Sequence, residues 1–277
     1  MIGILYNGVA KETAENLAKN LNIIKLNEND LKLNEKLKNV EVLIRYGSQL
    51  EIDKSLIEIN KRNSIYKAID RISFAKILND NNIKNPYIFK EDINKINYPI
   101  FVYTKNSYAG KGIVLCFSES DIKRLQDLGQ NVVIFSKPIR IKRELRVHII
   151  NYSSKDFAFL VFEKELNEIN PFCFVIRNKA ITNWKFKYIG DINFGIFDKY
   201  TYKAIEIAHK TTVALGLDFA GIDIAIDDNN EIYVFDCNSA PGLGKIGLNF
   251  YCEYLKILIK NKIKDKISKL HKILNTL

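Results

Sequence analysis

A chain of 277 residues is one large domain or two to three small ones, and 47% hydrophobic with 11% aromatic residues is enough to build a core. That composition excludes disorder, and 13 Gly, 5 Pro and 4 Cys exclude collagen-like, Pro/Gly-rich and disulfide-scaffold classes. Lys and Arg number 42 against 32 Asp and Glu, a net +10 that points either to a polyanionic partner or to coding bias. Only eight of the basic residues are arginine, and the chain is crowded with Lys, Asn and Ile, the residues of AT-rich codons, so coding bias is the reading carried forward.

In chain order, Ile2–Tyr6 is a short apolar run ending at the turn pair Asn7-Gly8, Glu12–Asn20 is helical in pattern, and Asn22–Leu26 and Val40–Arg45 are further β-type runs. Strands alternating with helices predict a small parallel α/β unit. Gly3 and Gly8 make no dinucleotide fingerprint. The 3.6-residue spacing of Ile65, Ala68, Ile69, Ile72, Ala75 and Leu78 predicts one long helix over 63–82. A strand (Ile100–Thr104), a Gly-containing loop (Lys105–Gly112), a second strand (Ile113–Phe117) and a helix capped by Ser118 come next. Short β-type runs at Val132–Phe135, Leu145–Ile150, Phe157–Phe162 and Phe172–Ile176 lead to a helix over Lys199–Leu215, closed by Gly216. Strands Ala220–Ile226 and Ile232–Cys237 and an amphipathic helix over Leu248–Leu274 complete the chain.

Cys116, Cys173, Cys237 and Cys252 form no C-x-x-C pair, and three histidines (His148, His209, His271) make a histidine metal site improbable. The N-terminus has no signal-peptide pattern and no apolar run is long enough to span a bilayer, so the expected compartment is the reducing cytoplasm.

The segment that carries chemistry is FAGIDIAIDDNNEIYVFDCNSAPGLG, Phe219–Gly244. With Asn229-Asn230 as a two-residue hairpin loop, counting outward places Asp223 opposite Asp236, their Cβ atoms about 4.5–5.5 Å apart. Asn238 joins them on one face, and Ile222, Ile224, Ile226, Tyr233, Phe235 and Cys237 form the expected core face. Opposed carboxylates repel unless a cation lies between them, and Asp, Asp and Asn are hard oxygen donors suited to Mg²⁺. The alternative is a solvated acidic face.

GLDFAGIDIAI and EIYVFDCNSAPGL resemble the metal hairpin of the ATP-grasp superfamily, in which an Asp, a Glu or Asp, and an Asn bind two Mg²⁺ ions (or Mn²⁺) that hold the ATP phosphates. The resemblance implies that Asp223, Asp236 and Asn238 are metal ligands. It also implies an α/β (α+β) ATP-grasp fold with an N-terminal substrate-side unit over 1–62, a subdomain over 63–130 and a second over 131–277. YPIFVYTKNSYAGKGI resembles the family's glycine-loop hairpin, which assigns Gly110, Lys111 and Gly112 to the phosphates. The usual strand lysine is absent, because Tyr103 occupies its position, and Lys105 or Lys111 takes its place.

Arg71 stands where a nucleotide-contacting lysine is common, and Ile134, Phe135 and Ser136 fall at the hinge whose backbone reads adenine. Arg146 in Glu144-Leu145-Arg146, and Arg177, are the implied phosphate or acyl-phosphate arginines, with Glu144, Arg146 and His148 on one strand face. Arg45, Ser48 and Ser239 are the implied substrate contacts, Arg45 for a carboxylate at the carboxyl end of a parallel strand. The implied function is ATP-dependent carboxylate–amine ligation through an acyl phosphate. The partners would be small-molecule or peptide substrates, with a tRNA or protein acceptor as a minor option and no membrane. The rivals are phosphotransfer without amide formation and a catalytically impaired nucleotide- or nucleic-acid-binding module.

Overall fold

A computed structural model describes residues 1–90, 97–108, 111–153, 155–167 and 183–274. The expected strand Phe172–Ile176, with Gly110 and Arg177, lies outside them. The N-terminal unit is β1 (Ile2–Tyr6), α1 (Lys11–Leu21), β2 (Ile24–Asn27), α2 (Leu33–Leu37), β3 (Val42–Tyr46) and β4 (Ile57–Ile59). Its strands are parallel in the order β2-β1-β3-β4. A parallel sheet is covered on both faces. Accordingly Ile4 and Ile44 pack toward α1 and the end of the chain, while Leu5 and Leu43 pack with Leu33 and Leu37 on the other side.

The expected long helix is two helices, α3 (Arg62–Ile69) and α4 (Arg71–Asp80). Asp70 separates them: its backbone is extended and its carboxylate accepts the Ser73 N–H at 2.8 Å, which caps a new helix. The apolar period continues through this break, so the pattern alone does not reveal it. Its consequence is positional, because Arg71 becomes the first residue of α4 rather than a point on a continuous helix face.

The second sheet is antiparallel, with β5 (Tyr87–Ile88), β6 (Ile100–Tyr108), β7 (Lys111–Cys116) and β8 (Val132–Ser136) in the order β5-β8-β6-β7. Helix α5 (Glu119–Asp127) starts from the Ser118/Asp121 capping box that the sequence predicts. Because β8 completes this sheet, the sheet runs past residue 130.

The third sheet contains β9 (Ile141–Asn151), β10 (Phe157–Leu166), β11 (Trp184–Asp191), β12 (Phe219–Asp227) and β13 (Ile232–Asn238), in the order β11-β10-β9-β12-β13. Strand β11 was not expected from the sequence. On one face Leu145, Val147, Ile149, Ile222 and Ile224 pack beneath α6 (Lys199–Leu215), whose bounds and Gly216 cap match the expectation. On the other face α7 (Lys245–Leu274) covers Leu160 and Phe219, and the rest is left to polar and aromatic side chains.

The N-terminal unit is latched to β12 through Asn60, a buried residue at φ 58°. Its side chain accepts the N–H groups of Asp218 and Phe219 and donates to the Phe219 carbonyl at 2.9 Å. Every polar atom of the amide is thus committed to positioning the start of the strand that carries Asp223.

Asp198 caps α6, accepting the N–H groups of Tyr200 and Thr201 and pairing with Arg143 at 2.7 Å. Burial alone would raise its carboxyl, but these hydrogen bonds bring it down to about 2. A depressed carboxylate stabilises the fold above its unfolded value of about 3.9. Asp198→Ala is therefore expected to cost about 1 kcal/mol in urea unfolding at pH 7, with the difference from wild type shrinking as pH falls from about 4 toward 2.

Candidate active site

The site lies on the face of the third sheet opposite α6. Asp223 pairs across the ladder with Arg146 on β9 and with Asp236 on β13. The expected opposition of the two aspartates holds, but by a different route. The loop is three residues, 228–230, with Asn230 left-handed at φ 62° and the Asp227 N–H bonded to the Glu231 carbonyl. That loop alone would shift the register by one. A bulge at Phe235 restores it before Asp236. Between the loop and the bulge the faces are the reverse of those expected: Ile232 and Val234 enter the core and Tyr233 and Phe235 do not, whereas Cys237, past the bulge, is in the core as expected.

Arg146 holds Asp223 bidentately, through Nε at 2.6 Å and Nη2 at 2.7 Å. Burial alone would raise the Asp223 carboxyl, but Arg146 and Lys164 bring it down to about 2. The Lys164 ammonium lies 3.8 Å from Asp223 and in closer contact with Glu144 on β9. Burial works against its charge, yet Asp223 and Glu144 raise its pKa. Glu144, Arg146 and His148 share the expected face, but His148 serves the interior. Burial and the neighbouring Arg146 lower it to about 3, and its Nδ1 meets the Tyr251 hydroxyl at 3.2 Å.

Asp236 has its own arginine. Arg71 reaches it from the start of α4 at 3.1 Å, and also donates to the Tyr87 hydroxyl at 2.8 Å. Its guanidinium lies over the Tyr103 ring, 5.3 Å from the centroid. The position that would carry the strand lysine thus carries an aromatic platform with a cation on it. The Asn238 amide, half-buried beside Asp236, has no hydrogen-bond partner among the described residues, and its Nδ2 is fully buried.

This donor set fits a hard divalent cation. Two opposed carboxylates and an unbonded amide are too few to enclose an ion, and among the described residues no three of His, Cys, Asp and Glu converge on one point. Mg²⁺ is held in just this manner, by one or two carboxylates with phosphate oxygens and water completing the shell.

The remaining expected residues fall elsewhere. Arg45 is 2% exposed, with Nε and Nη2 both on Glu58 and Nη1 on the Leu50 carbonyl, so an internal carboxylate takes the place expected for a substrate's. Ser48 donates to Glu28 at 2.8 Å, and Ser239 is buried beyond Asn238. Ile134, Phe135 and Ser136 lie on β8, an inner strand between β5 and β6. On the β5 side the ladder covers Phe135 and Ser136, and the Lys137 N–H bonds to the Pro86 carbonyl. Lys105 is exposed on β6, Lys111 opens β7, and Gly112 adopts φ 71°. Arg140 pairs with Asp228, and Arg143 with Glu163 and Asp198, whereas Arg146 is the member of that cluster that meets Asp223. Sequence reasoning missed Lys164 and Tyr87. The alternation in Phe-Glu-Lys-Glu-Leu puts Lys164 on the face of Phe162, a signal that was available; Tyr87 offers none.

Tertiary contact joins two segments far apart in the chain. The Tyr46 hydroxyl donates to the Pro241 carbonyl, and Gly47, at φ 77°, sits against Ala240. The end of β3 therefore abuts the loop that follows Asn238.

No family model matches the chain. A D-alanine–D-alanine ligase of Prochlorococcus marinus (strain AS9601) is 27% identical over 207 residues, covering 72% of this chain and 55% of that protein. The chain thus spans about half the length of the D-alanine–D-alanine ligases it matches. The coenzyme gamma-F420-2:alpha-L-glutamate ligase of Methanococcus maripaludis is 28% identical over 219 residues, 74% of this chain and 71% of that one. Among solved structures, the Bacillus anthracis D-alanine–D-alanine ligase superposes with a TM-score of 0.68 at 16% identity, over 97% of this chain and 99% of that chain. An ADP complex of N5-carboxyaminoimidazole ribonucleotide synthetase gives 0.61 at 17% identity, over 87% and 70%. The fold is that of the ATP-grasp carboxylate–amine ligases, and the sequence likenesses support the same superfamily.

The apposition of Gly47 and Ala240 is testable. A Cβ at position 47 would lie 2.9 Å from the Ala240 Cβ in a left-handed backbone, whereas at Gly8 it would meet nothing. Gly47→Ala is expected to cost about 1–3 kcal/mol in denaturant unfolding and Gly8→Ala much less.

Proposed function

We propose that this chain is an ATP-dependent carboxylate–amine ligase that forms an amide-type bond through an acyl phosphate and releases ADP and phosphate. The observation that carries the reading is the opposition of Asp223 and Asp236 with Asn238 on the same face, in a chain with the ATP-grasp fold. Asp223, Asp236 and Asn238 would hold Mg²⁺ or Mn²⁺, which when bound draws charge from the ATP phosphates.

The chemistry asks for positioning and neutralisation more than for covalent participation. A substrate carboxylate attacks the γ-phosphorus and ADP leaves; an amine then attacks the acyl carbon and phosphate leaves. Arg146 presents a fixed cation at the metal carboxylates, and its unused Nη1 can meet a phosphoryl or acyl-phosphate oxygen. Arg71 supplies positive charge above Tyr103, which answers the loss of the strand lysine and weakens the impaired-module reading. Arg177, Gly110, Lys111 and Gly112 keep their assigned roles toward phosphate. Ser48 and Ser239, with the division at 62/63 and 130/131, belong to the same reading. The substrates would be small molecules or peptides, as suits relatives named for alanine and glutamate. A cytoplasmic location is also part of the proposal; the support is that Cys116, Cys237 and Cys252 are free thiols and no described helix is long and apolar enough to cross a membrane.

Asp236→Ala and Asn238→Ala are each expected to abolish Mg²⁺-dependent ATP turnover; unchanged turnover in both removes the metal assignment. ADP release that requires an added amine supports ligation, and amine-independent release in the presence of the acid substrate points to phosphotransfer.

A further inference from the structure

The face of the third sheet that carries Asp223 does not end at Arg146. One ladder row crosses all five strands and reads Tyr188, Phe162, Arg146, Asp223, Asp236. Beyond Arg146 this row becomes aromatic. Phe162 lies 5.8 Å from Phe186 and 6.0 Å from Tyr188 between ring centroids, and Trp184 meets Phe186 edge-on at 4.9 Å. The guanidinium of Arg146, which holds Asp223, also lies over the Phe186 ring at 4.9 Å. The aromatic surface therefore begins one side chain from the metal carboxylates.

This surface is open. Phe186 is 38% and Tyr188 37% exposed, on β11, the edge strand among the described residues. Alternate residues Lys185 and Lys187 pair with Glu165 on the opposite face, so the strand presents charge on one side and rings on the other. Exposed rings on an edge strand are a liability unless something covers them. They are continuous with Arg146, so a molecule lying on them would also reach that guanidinium.

We propose that Phe186 and Tyr188 form a specificity platform for a small substrate with an aromatic or similarly flat ring, its acidic or amine end directed toward Arg146 and Asp223. The assignment rests on the ligase reading, because the platform takes its meaning from the adjacent site. A flat ring stacks on exposed aromatic faces at little entropic cost, and the remaining Arg146 nitrogen complements a carboxylate or acyl phosphate at the other end. An aliphatic substrate such as alanine would leave both rings in water.

Trp184 is the sole tryptophan of the chain and lies against Phe186, so its fluorescence reports occupancy without any turnover. The experiment titrates the full chain, with Mg²⁺ and a non-hydrolysable ATP analogue, with phenylalanine, tyrosine and histidine of both hands, and with alanine and glutamate as controls. At least one aromatic amino acid is expected to change Trp184 emission saturably where alanine and glutamate do not. Phe186→Leu and Tyr188→Leu are each expected to weaken that response about tenfold. No saturable response to any aromatic probe, or an undiminished response in both variants, overturns the platform. Acceptor-dependent ADP release is measured separately on wild type. Its absence alongside a saturable aromatic response counts against the ligase reading, while its presence without that response counts against the platform alone.

Discussion

The Asp223 carboxylate is the constraint around which the site is organised. It is buried, negative, and faced directly by a second carboxylate, Asp236. A buried charge without a partner is strongly destabilising, and two like charges opposed on a sheet add to the cost. The fold answers with a cation for each: Arg146 from β9 for Asp223 and Arg71 from α4 for Asp236. Strand order, the bulge at Phe235 and the helix break at Asp70 all follow the same logic, because each places one of these four side chains.

Charges around the pair are held in turn. Glu144 and Lys164 form a second ion pair beside Arg146 and Asp223, so that the buried charges alternate in sign along the face. Such a group is costly to bury, and its retention fits a role in keeping Asp223 ionised and oriented. The N-terminal unit contributes from outside. Asn60 fixes the start of β12, and Tyr46 and Gly47 brace the loop after Asn238, so both ends of the β12–β13 hairpin are tied to the first sheet.

The net charge of +10 separates along the same lines. Arg71 and Arg146 sit at the carboxylates, and Arg45, Arg140 and Arg143 are matched by Glu58, Asp228, Glu163 and Asp198. The local positive field at the proposed nucleotide site therefore comes from a few placed arginines rather than from the general excess of lysine.

Sequence by itself determined the elements whose signals are local. The parallel N-terminal unit, α6 with its Gly216 cap, the Ser118 capping box and the face shared by Glu144, Arg146 and His148 follow from periods of 3.6 and 2 and from cap chemistry. The opposition of Asp223 and Asp236 is also legible, because the three-residue loop shifts the register by one residue from a two-residue count and the bulge at Phe235 shifts it back. Only the tertiary structure decided which arginine serves which carboxylate, that Arg45 is closed onto Glu58, that Lys164 is buried beside Asp223, and that α4 begins anew at Asp70. These depend on side chains brought together from strands and helices up to 165 residues apart, as Arg71 and Asp236 are. No local period or spacing encodes a contact at that separation; the packing of the three sheets creates it.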